Sequence, residues 1–204
     1  MTPENLKFIA LNCTLKSGKK RSSTDVLLEQ LRGALSAFDC KGEIVRVVDL
    51  NIMPGVTSNE GRGDDWPKLR QRILDADILI IGTPIWMGQP SSVAKRICER
   101  MDAFFDELDD AQRMPSYGKV AAVAVVGNED GAHHVSAELY QALNDCGFTL
   151  PPNAVTYWVG EAMSDKNYKD LTRAPKAVKK ATDMLVSNAV HLARLLKGRP
   201  FAGL

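Results

Sequence analysis

Short apolar runs alternate along the chain with longer segments in which apolar residues recur every three or four positions. Uninterrupted short runs predict β-strands, and the longer spacing predicts helices with one apolar face. The predicted strands cover residues 6–11, 43–49, 78–82, 120–127 and 155–160. Five helices are predicted, and the weakest pattern is that of the second, at 65–75. The apolar faces of the other four consist of Leu27, Leu28, Leu31, Leu35 and Phe38; of Val93, Ile97, Met101, Phe104, Phe105 and Leu108; of Val135, Leu139, Leu143 and Cys146; and of Val178, Ala181, Leu185, Ala189, Leu192 and Leu196.

The strict alternation of strand and helix predicts an α/β fold with a parallel sheet and right-handed crossovers. Runs that are apolar throughout fit central strands covered by helices on both faces, whereas the alternating run 43–49 fits an edge strand. Five strands favour a flavodoxin-like three-layer sandwich, with a five-stranded parallel sheet in the order 2-1-3-4-5. We expect residues 1–204 to form a single domain of this kind, with 51–66 as a mobile surface loop.

Composition narrows the class of protein. The net charge is only +1, which gives no bulk signal for nucleic acid or for an anionic membrane. The beginning of the sequence lacks a signal-peptide pattern, and the longest apolar run, 120–126, is too short to cross a bilayer. We therefore expect a cytoplasmic protein with no nucleic-acid or membrane partner. The four cysteines lack the spacing of metal clamps and are expected to be free thiols.

Ligands of open parallel sheets bind beyond the carboxyl ends of the strands, where the strand order reverses. The loop after the first strand, residues 12–24, contains four basic residues, five hydroxyls and no acid, and it leads into a helix. Backbone N–H groups and the helix dipole make such a place suitable for an anion. The candidate phosphate-binding residues are Asn12, Thr14, Lys16, Ser22, Ser23 and Thr24. A solvated basic loop in which Ser22 only caps the helix explains the same residues equally well.

The loop after the third strand places an aromatic residue, a methionine and a glycine at the mouth of a buried strand. A flat apolar ring could lie against this loop, with backbone donors at the polar edge of the ring. The candidate residues are Pro84, Ile85, Trp86, Met87 and Gly88. Alternatively, Trp86 and Met87 pack in a dimer interface, where aromatic residues and methionine are also enriched.

The loop after the fourth strand supplies a polar rim with two glycines. Its candidate residues are Gly127, Asn128, Glu129, Asp130, Gly131 and His133. Solvated polar side chains and a helix cap explain the same residues without a ligand. Adjacent histidines on a helix point about 100° apart, so His133 and His134 predict no metal site by themselves. A phosphate pocket, an apolar platform and a polar rim together predict a mononucleotide with an aromatic ring.

Two stretches carry a family resemblance, DILIIGTPIWMGQPSSVAK at 77–95 and VVGNEDGAHH at 125–134. With them the chain resembles the flavodoxin-like NAD(P)H-dependent FMN reductases and the related quinone reductases. The resemblance implies FMN as cofactor, NAD(P)H as co-substrate and a small acceptor such as a quinone or free flavin. It also implies that Thr14 and 22–24 hold the phosphate, that 84–88 face the isoalloxazine, and that 127–131 flank its pyrimidine end. The family commonly has a Ser-Pro-Arg turn where this chain has Asn-Cys-Thr-Leu-Lys at 12–16.

The expected activity is therefore that of an oxidoreductase that passes a hydride from NAD(P)H through FMN to the acceptor. His133 is the one candidate for a catalytic side chain, as a proton donor or as a stabiliser of negative charge. The resemblance further implies a homodimer or homotetramer, with Trp86, Met87 and the third predicted helix near the interface. A flavodoxin-type electron carrier is one alternative, although such carriers are usually strongly acidic. A regulatory protein without redox activity is another, because fold alone does not fix function.

Overall fold

The computed structural model describes residues 5–162, 164–199 and 201–204. Six strands and five α-helices follow one another along the chain. The strands are β1 (Lys7–Asn12), β2 (Lys41–Arg46), β3 (Ile78–Trp86), β4 (Gln89–Pro90), β5 (Val120–Gly127) and β6 (Val155–Val159). The helices are α1 (Ser23–Ser36), α2 (Trp66–Leu74), α3 (Ser92–Met101), α4 (Ala132–Asp145) and α5 (Lys176–Gly198).

Five of the strands form a parallel sheet in the order β2-β1-β3-β5-β6. Ile9 pairs with Glu43 on one side and with Leu79 on the other, and Ile81 pairs with Val123. When β4 is left out and the parallel strands are numbered along the chain, this order is 2-1-3-4-5. The predicted flavodoxin-like order is therefore confirmed. The sequence did not predict β4, a two-residue strand that pairs antiparallel with the end of β3.

Helices cover both faces of the sheet and produce two separate cores. Ile9 and Leu11 of β1 pack into the core on the side of α2, α3 and α4, whereas Phe8 and Ala10 pack into the core beneath α1 and α5. Alternate residues of a strand point to opposite faces, so a strand covered on both sides must be apolar throughout. This requirement explains the uninterrupted apolar run of β5, whose first seven residues are all buried.

Several predicted element ends differ from the structure, and β3 continues four residues past its predicted end, to Trp86. The strand 43–49 instead covers Lys41–Arg46 and is followed by a 3₁₀ turn, Val47–Asp49. The third helix ends at Met101, and a second 3₁₀ turn, Asp102–Phe105, follows it. The apolar spacing continues past this end because Phe104 stays buried after the helix stops, whereas Leu108 is 41% exposed.

The loop 51–66 is anchored to the body of the protein. Arg100 forms an ion pair with Asp64 at 2.7 Å, and both side chains are fully buried. The same guanidinium donates to the carbonyl oxygen of Met53 at 2.9 Å, and Trp66 is fully buried at the beginning of α2. These contacts argue against the mobility that the composition of this loop suggested.

Among the residues that the structure describes, no helix has the length and apolar character needed to cross a membrane.

Candidate functional site

The strand order brings the ends of β1, β3, β5 and β6 together at one edge of the sheet, where a cleft opens. Its enclosed part measures about 160 Å³. The cleft is lined by Thr14, Leu15, Lys16, Ser22, Ser23, Thr24, Pro84, Ile85, Trp86, Val126, Gly127, Asn128, Glu129, Trp158 and Asn167. This volume is below the roughly 300 Å³ of typical ligand pockets. A mononucleotide would therefore fill the enclosed part and extend over its open rim.

All three predicted loops contribute to this cleft, but not every predicted residue lines it. Asn12, Met87, Gly88, Asp130, Gly131 and His133 are absent from the lining. Four lining residues were not predicted: Leu15, Val126, Trp158 and Asn167. Trp158 could have been found, because it stands near the carboxyl end of the last strand, at the same edge of the sheet.

The first turn of α1 forms one wall of the cleft and is closed by a reciprocal cap. The Ser22 hydroxyl accepts from the backbone N–H of Asp25 at 3.1 Å, and the Ser22 N–H donates to the Asp25 carboxylate at 2.6 Å. The Ser22 hydroxyl also donates to this carboxylate at 2.9 Å, so its one donor is used within the cap. The N–H groups of Ser23 and Thr24 have no acceptor among the described residues, which leaves them available for an anion.

Arg46, at the end of β2, holds the basic loop in place. Its guanidinium donates to the carbonyl oxygens of Lys16 and Lys20 at 2.6 and 3.0 Å, and to the Asp25 carboxylate at 2.6 Å. The Asn12 side-chain amide donates to the same carboxylate. Both donors offset the negative charge of Asp25, which would otherwise oppose an anion at the start of α1. Our sequence prediction missed Arg46, because its partners Lys16, Lys20 and Asp25 lie 21 to 30 residues away along the chain.

A hydrogen-bond chain fixes the loop after β3 against the end of β1. The Thr83 hydroxyl accepts from the backbone N–H of Ser91 at 3.0 Å, and the Ser91 hydroxyl donates to the carbonyl oxygen of Cys13 at 2.6 Å. The Ser91 hydroxyl also caps α3 by accepting from the Ala94 N–H. The platform formed by Pro84, Ile85 and Trp86 is therefore rigidly placed beside the basic loop.

The tip of this platform is a two-residue hairpin turn between β3 and β4. Met87 and Gly88 have φ values of 50° and 74°, so both adopt left-handed conformations. Hairpin turns of this type favour Asn-Gly, and a methionine at the first position is strained. The Met87 side chain is 88% exposed and that of Trp86 is 51% exposed. The apolar tip therefore projects from the rim of the cleft.

The loop after β5 approaches the platform closely. A Cβ atom at Gly131, where φ is 122°, would lie 2.8 Å from the Gly88 Cα, so a side chain would force the loops apart. The Asn128 amide donates to the carbonyl oxygen of Ser164 at 2.7 Å. The Glu129 Oε1 is buried and has no hydrogen-bond partner among the described residues.

His133 lies outside the cleft lining, on the exposed surface of α4. Its Nε2 is 3.2 Å from the hydroxyl of Tyr157, and the two rings meet edge to face at 5.3 Å. The neighbouring His134 instead pairs with Glu138 at 2.8 Å. A catalytic role for His133 thus has weaker support from the structure than from the sequence. No group of three or more His, Cys, Asp or Glu side chains within the described ranges could hold a metal ion.

Residues 164–171, which we call the strap, close the far side of the cleft. The Lys169 N–H donates to the Ser23 hydroxyl at 3.4 Å, and the Tyr168 hydroxyl donates to the Gln30 side chain at 2.6 Å. The Tyr168 ring packs against that of Trp158, with centroids 5.4 Å apart. The strap therefore connects α1 with the loop after β5. Its contact with that loop is the hydrogen bond from the Asn128 amide to the carbonyl oxygen of Ser164.

Several larger depressions lie elsewhere on the described surface, and two of them exceed 500 Å³. One, between α1 and α5, measures about 640 Å³ and includes Gly33, Ala37 and Phe38; the other, beside the carboxyl-terminal residues, measures about 540 Å³. Neither has a helix N-terminus with free N–H groups beside an aromatic wall. The cleft at the strand ends is smaller, but it is the better candidate because it combines free backbone N–H groups with aromatic side chains.

The residues of the cleft fit a flavin mononucleotide. Free N–H groups at Ser23 and Thr24 suit a terminal phosphate, and Trp86 and Trp158 offer aromatic surface for a ring system. The unpartnered Glu129 oxygen can accept from an N–H on the ring edge. The phosphate, the ring system and the edge of the ring would thus contact residues that follow different strands of the sheet.

Fold and cleft together define a flavodoxin-like α/β protein with a mononucleotide-type site at the carboxyl ends of its strands. The chain belongs to the NADPH-dependent FMN reductase family, which it matches over residues 6–163. This membership supports a flavin-dependent oxidoreductase activity and a flavin ligand.

Two relatives and one solved structure are similar to this chain over nearly its whole length. The chain is 36% identical to the 8-demethyl-8-aminoriboflavin-5'-phosphate synthase of Streptomyces davaonensis, over 96% of this chain and 80% of that protein. The structure of RosB with the bound intermediate 8-demethyl-8-formylriboflavin-5'-phosphate superposes with a TM-score of 0.87 and 34% identity, over 97% of this chain and 82% of that one.

The second relative is the divalent metal cation transporter MntH of Mycobacterium bovis, which is 33% identical over 95% of this chain. The chain spans only 29% of the length of that relative.

Proposed function

We propose that the protein binds FMN in the cleft and uses it to transfer a hydride from NAD(P)H to a small acceptor such as a quinone or free flavin. The observation that carries this proposal is the convergence of three different loops on one cleft. A helix N-terminus with free N–H groups lies on one side, and an aromatic platform with a polar rim lies on the other. Family membership supplies the flavin chemistry.

The chain's own residues would bind and orient the flavin. The N–H groups of Ser23 and Thr24 would hold the phosphate, and Lys16 would add positive charge at the mouth of the cleft. Trp86 and Trp158 would contact the ring, while the exposed rim would leave one ring face open to a nicotinamide. Bound FMN supplies the hydride-transfer chemistry itself, so the reaction does not require a side-chain acid or base.

Anaerobic stopped-flow spectroscopy of the FMN-loaded protein tests this proposal. NADH or NADPH should bleach the flavin absorbance, and a soluble quinone should restore it. Because both substrates would use the same open face, steady-state turnover should show ping-pong kinetics. No bleaching by either nicotinamide over minutes, in protein shown to be saturated with FMN, would favour the carrier or the regulatory alternative.

The similarity to the Streptomyces synthase favours a second candidate, in which the flavin phosphate is the substrate. That relative is named for making a modified flavin phosphate, and the identity extends over nearly all of this chain. Mass spectrometry of the flavin recovered after turnover separates the two candidates. An unchanged FMN mass supports the cofactor role, whereas a new flavin mass formed with enzyme and absent from a boiled control supports chemistry on the flavin.

A further inference from the structure

Positive charge is concentrated in two segments that meet at the start of α1. Residues 16–21 and 164–180 contain ten lysines and arginines and only two acids, a net charge of +8, whereas the whole chain carries +1. The remaining residues together therefore carry a net charge of −7. The two segments lie side by side, because the Lys169 N–H donates to the Ser23 hydroxyl, and Lys16 and Asn167 line the same cleft. We call the lysines and arginines of these two segments the basic patch.

Most of the basic patch is exposed and is not used within the protein. Two of its ten side chains form ion pairs, Lys169 with Asp170 and Lys179 with Asp183. The other eight are exposed and belong to no ion pair within the described ranges. They are Lys16, Lys19, Lys20, Arg21, Lys166, Arg173, Lys176 and Lys180.

The carboxylates around the basic loop are already matched by another cation. Asp49 accepts the Gly18 N–H at 2.7 Å, and the Arg46 guanidinium lies 3.9 Å from Asp49 and 2.6 Å from Asp25. These two acids therefore do not compensate the basic patch. Like charges that are held together repel one another, so the concentration of eight free cations is unfavourable for the folded chain alone. A negatively charged partner would offset this repulsion.

Negative charge gathers away from the cleft. Helix α3 begins beside the cleft, where Ser91 donates to the Cys13 carbonyl oxygen, and its ten residues lead away from there for about 15 Å. Residues 99–110, at and beyond its end, contain six acids and one basic residue, Arg100. The protein thus has a positive end at the mouth of the cleft and a negative end opposite. Such a distribution turns an approaching acidic molecule toward the cleft.

The extent of the basic patch indicates the kind of partner. A nicotinamide dinucleotide carries far fewer negative charges than the eight free cations can neutralise. A long nucleic acid would extend beyond the patch onto surface of the opposite net charge, where it is repelled. A compact acidic protein fits both the sign and the extent of the patch. Leu15, which is 47% exposed at the lip of the cleft, adds the apolar contact that protein interfaces place beside a polar rim.

We propose that the basic patch docks a compact acidic protein of the electron-carrier class over the mouth of the cleft. The redox nature of the partner rests on the flavin site of the proposed function, whereas the docking surface rests on the charges alone. Strong acidity is usual among such carriers. The patch lies on the α1 side of the cleft, so a docked carrier would approach the opening from the side of the basic loop and the strap.

Biosensor kinetics with an immobilised plant-type ferredoxin, a small acidic electron carrier, test the docking surface. The wild-type protein should associate at low ionic strength, and its association rate should fall steeply between about 20 and about 200 mM salt. Lys19→Glu combined with Lys20→Glu should slow association by about tenfold or more and should leave dissociation nearly unchanged. Both side chains are exposed, so the fold does not depend on them.

A matched control makes the same change of net charge elsewhere. Lys41→Glu combined with Lys68→Glu reverses two exposed lysines outside the basic patch, and its association rate should stay within about twofold of the wild type. Equal slowing in the two double variants would show that only net charge matters and would overturn the proposal.

Two further probes test the alternatives to a protein partner. A short DNA duplex should bind more weakly than ferredoxin at the same salt concentration, and tighter binding of the duplex overturns the proposal in favour of a nucleic acid. The KM for NADPH should change little in Lys19→Glu with Lys20→Glu. If this KM rises as much as ferredoxin association slows, while the KM for NADH does not, the patch serves the extra phosphate of the nucleotide and the proposal is wrong.

The docking surface and the proposed function fail separately. If ferredoxin shows no salt-dependent association while NAD(P)H still bleaches the flavin of the wild type, the docking surface is overturned and the flavin site remains. If neither nicotinamide bleaches the flavin but ferredoxin associates as expected and the patch variant loses it, the docking surface is supported and the proposed hydride transfer falls.

Discussion

The Arg46 guanidinium lies 2.6 Å from the Asp25 carboxylate, so a residue of the edge strand offsets the one negative charge at the start of α1. Both side chains are largely buried, with 17% and 22% of their surfaces exposed. The pair is therefore less screened by solvent than a surface ion pair. An anion site at this helix depends on a residue that lies outside all three ligand loops.

Arg46→Met should weaken FMN binding by about ten- to a hundredfold, since the loop carbonyls lose their donor and Asp25 is left unpaired. The methionine keeps the apolar part of the side chain. Adding Asp25→Asn should restore part of the affinity, because the uncompensated charge disappears while the asparagine Oδ1 can still accept from the Ser22 N–H. Arg72→Met, which breaks the exposed pair with Glu43, is the control for loss of an arginine on another ion pair. If calorimetry finds the same loss of FMN affinity in Arg46→Met and in Arg72→Met, this role of Arg46 is contradicted.

Ser22 and Thr24 should have different effects, although the sequence grouped them. Thr24→Val removes a hydroxyl from the cleft wall and should weaken FMN binding by about tenfold. Ser22→Ala should instead lower the free energy of unfolding by about 1 kcal/mol, because the Ser22 hydroxyl is used in the helix cap. Urea unfolding and FMN titration of both variants check this division. The opposite pattern would place the phosphate on Ser22.

The protein should bind FMN more tightly than FAD, by about tenfold or more. The strap contacts Ser23 through the Lys169 N–H and closes the space beyond the start of α1. An adenylate attached to the phosphate would have to displace this contact. Competitive titration with the two flavins measures the ratio, and equal affinities would show that the phosphate end of the cleft is open.

The buried pair of Asp64 and Arg100 should make stability depend on acid pH. Burial by itself raises the pKa of Asp64, but backbone N–H groups of Glu60, Trp66 and Met53 and the Arg100 guanidinium together hold this pKa below its ordinary value. Because the folded-state pKa is lowered, the contribution is complete above the unfolded-state pKa of about 3.9 and is lost as pH falls through the folded-state value.

Asp64→Asn should therefore destabilise the protein by about 3–5 kcal/mol near neutral pH, and by progressively less as the pH falls below about 3.9. Thermal unfolding across this pH range measures the difference between variant and wild type. Asp109→Asn, at an exposed i,i+4 pair with Arg113, should change the free energy of unfolding little at any pH in this range, because solvent screens such a pair. If the loss of unfolding free energy in Asp64→Asn does not change with pH, then lost packing, and not lost charge, causes it.

Met87→Asn should stabilise the folded chain by up to about 1 kcal/mol, because asparagine adopts the left-handed turn with less strain. An exposed methionine in such a turn indicates that another contact favours the side chain. The same change should therefore weaken self-association of the protein. Chemical denaturation and analytical ultracentrifugation measure the two effects. A more stable variant with unchanged oligomeric state would remove Met87 from the interface we expect.

Much of the architecture could be predicted, because periodicity is a strong signal where strands are covered on both faces. The apolar runs of β1, β3 and β5 and the stripe of α5 each appear in the structure. The end of α3 was wrong by several residues because Phe104 remains buried after the helix stops. Apolar spacing reports burial, and burial continues through a 3₁₀ turn. The two-residue β4 is too short to leave any periodic pattern.

The site was predictable to the level of loops, because topology determines which loops meet. The roles of individual side chains were not, since they depend on partners distant in sequence. Ser22 is occupied by Asp25, which was just beyond the loop that we considered free of acids. Arg46 and the strap reach the cleft from positions 21 and 146 residues away from their partners Asp25 and Ser23. Such contacts leave no local sequence signal.

The strap connects two walls that a ligand would also connect. The Asn128 amide binds its first residue, and the Ser23 hydroxyl binds it near its far end. Thermodynamic linkage then requires that a ligand that binds more tightly when the strap is closed stabilises the closed strap, by the same free energy that the closed strap adds to binding. The amide hydrogens of the strap should accordingly exchange with solvent more slowly as the cleft fills, which makes this segment a built-in reporter of occupancy.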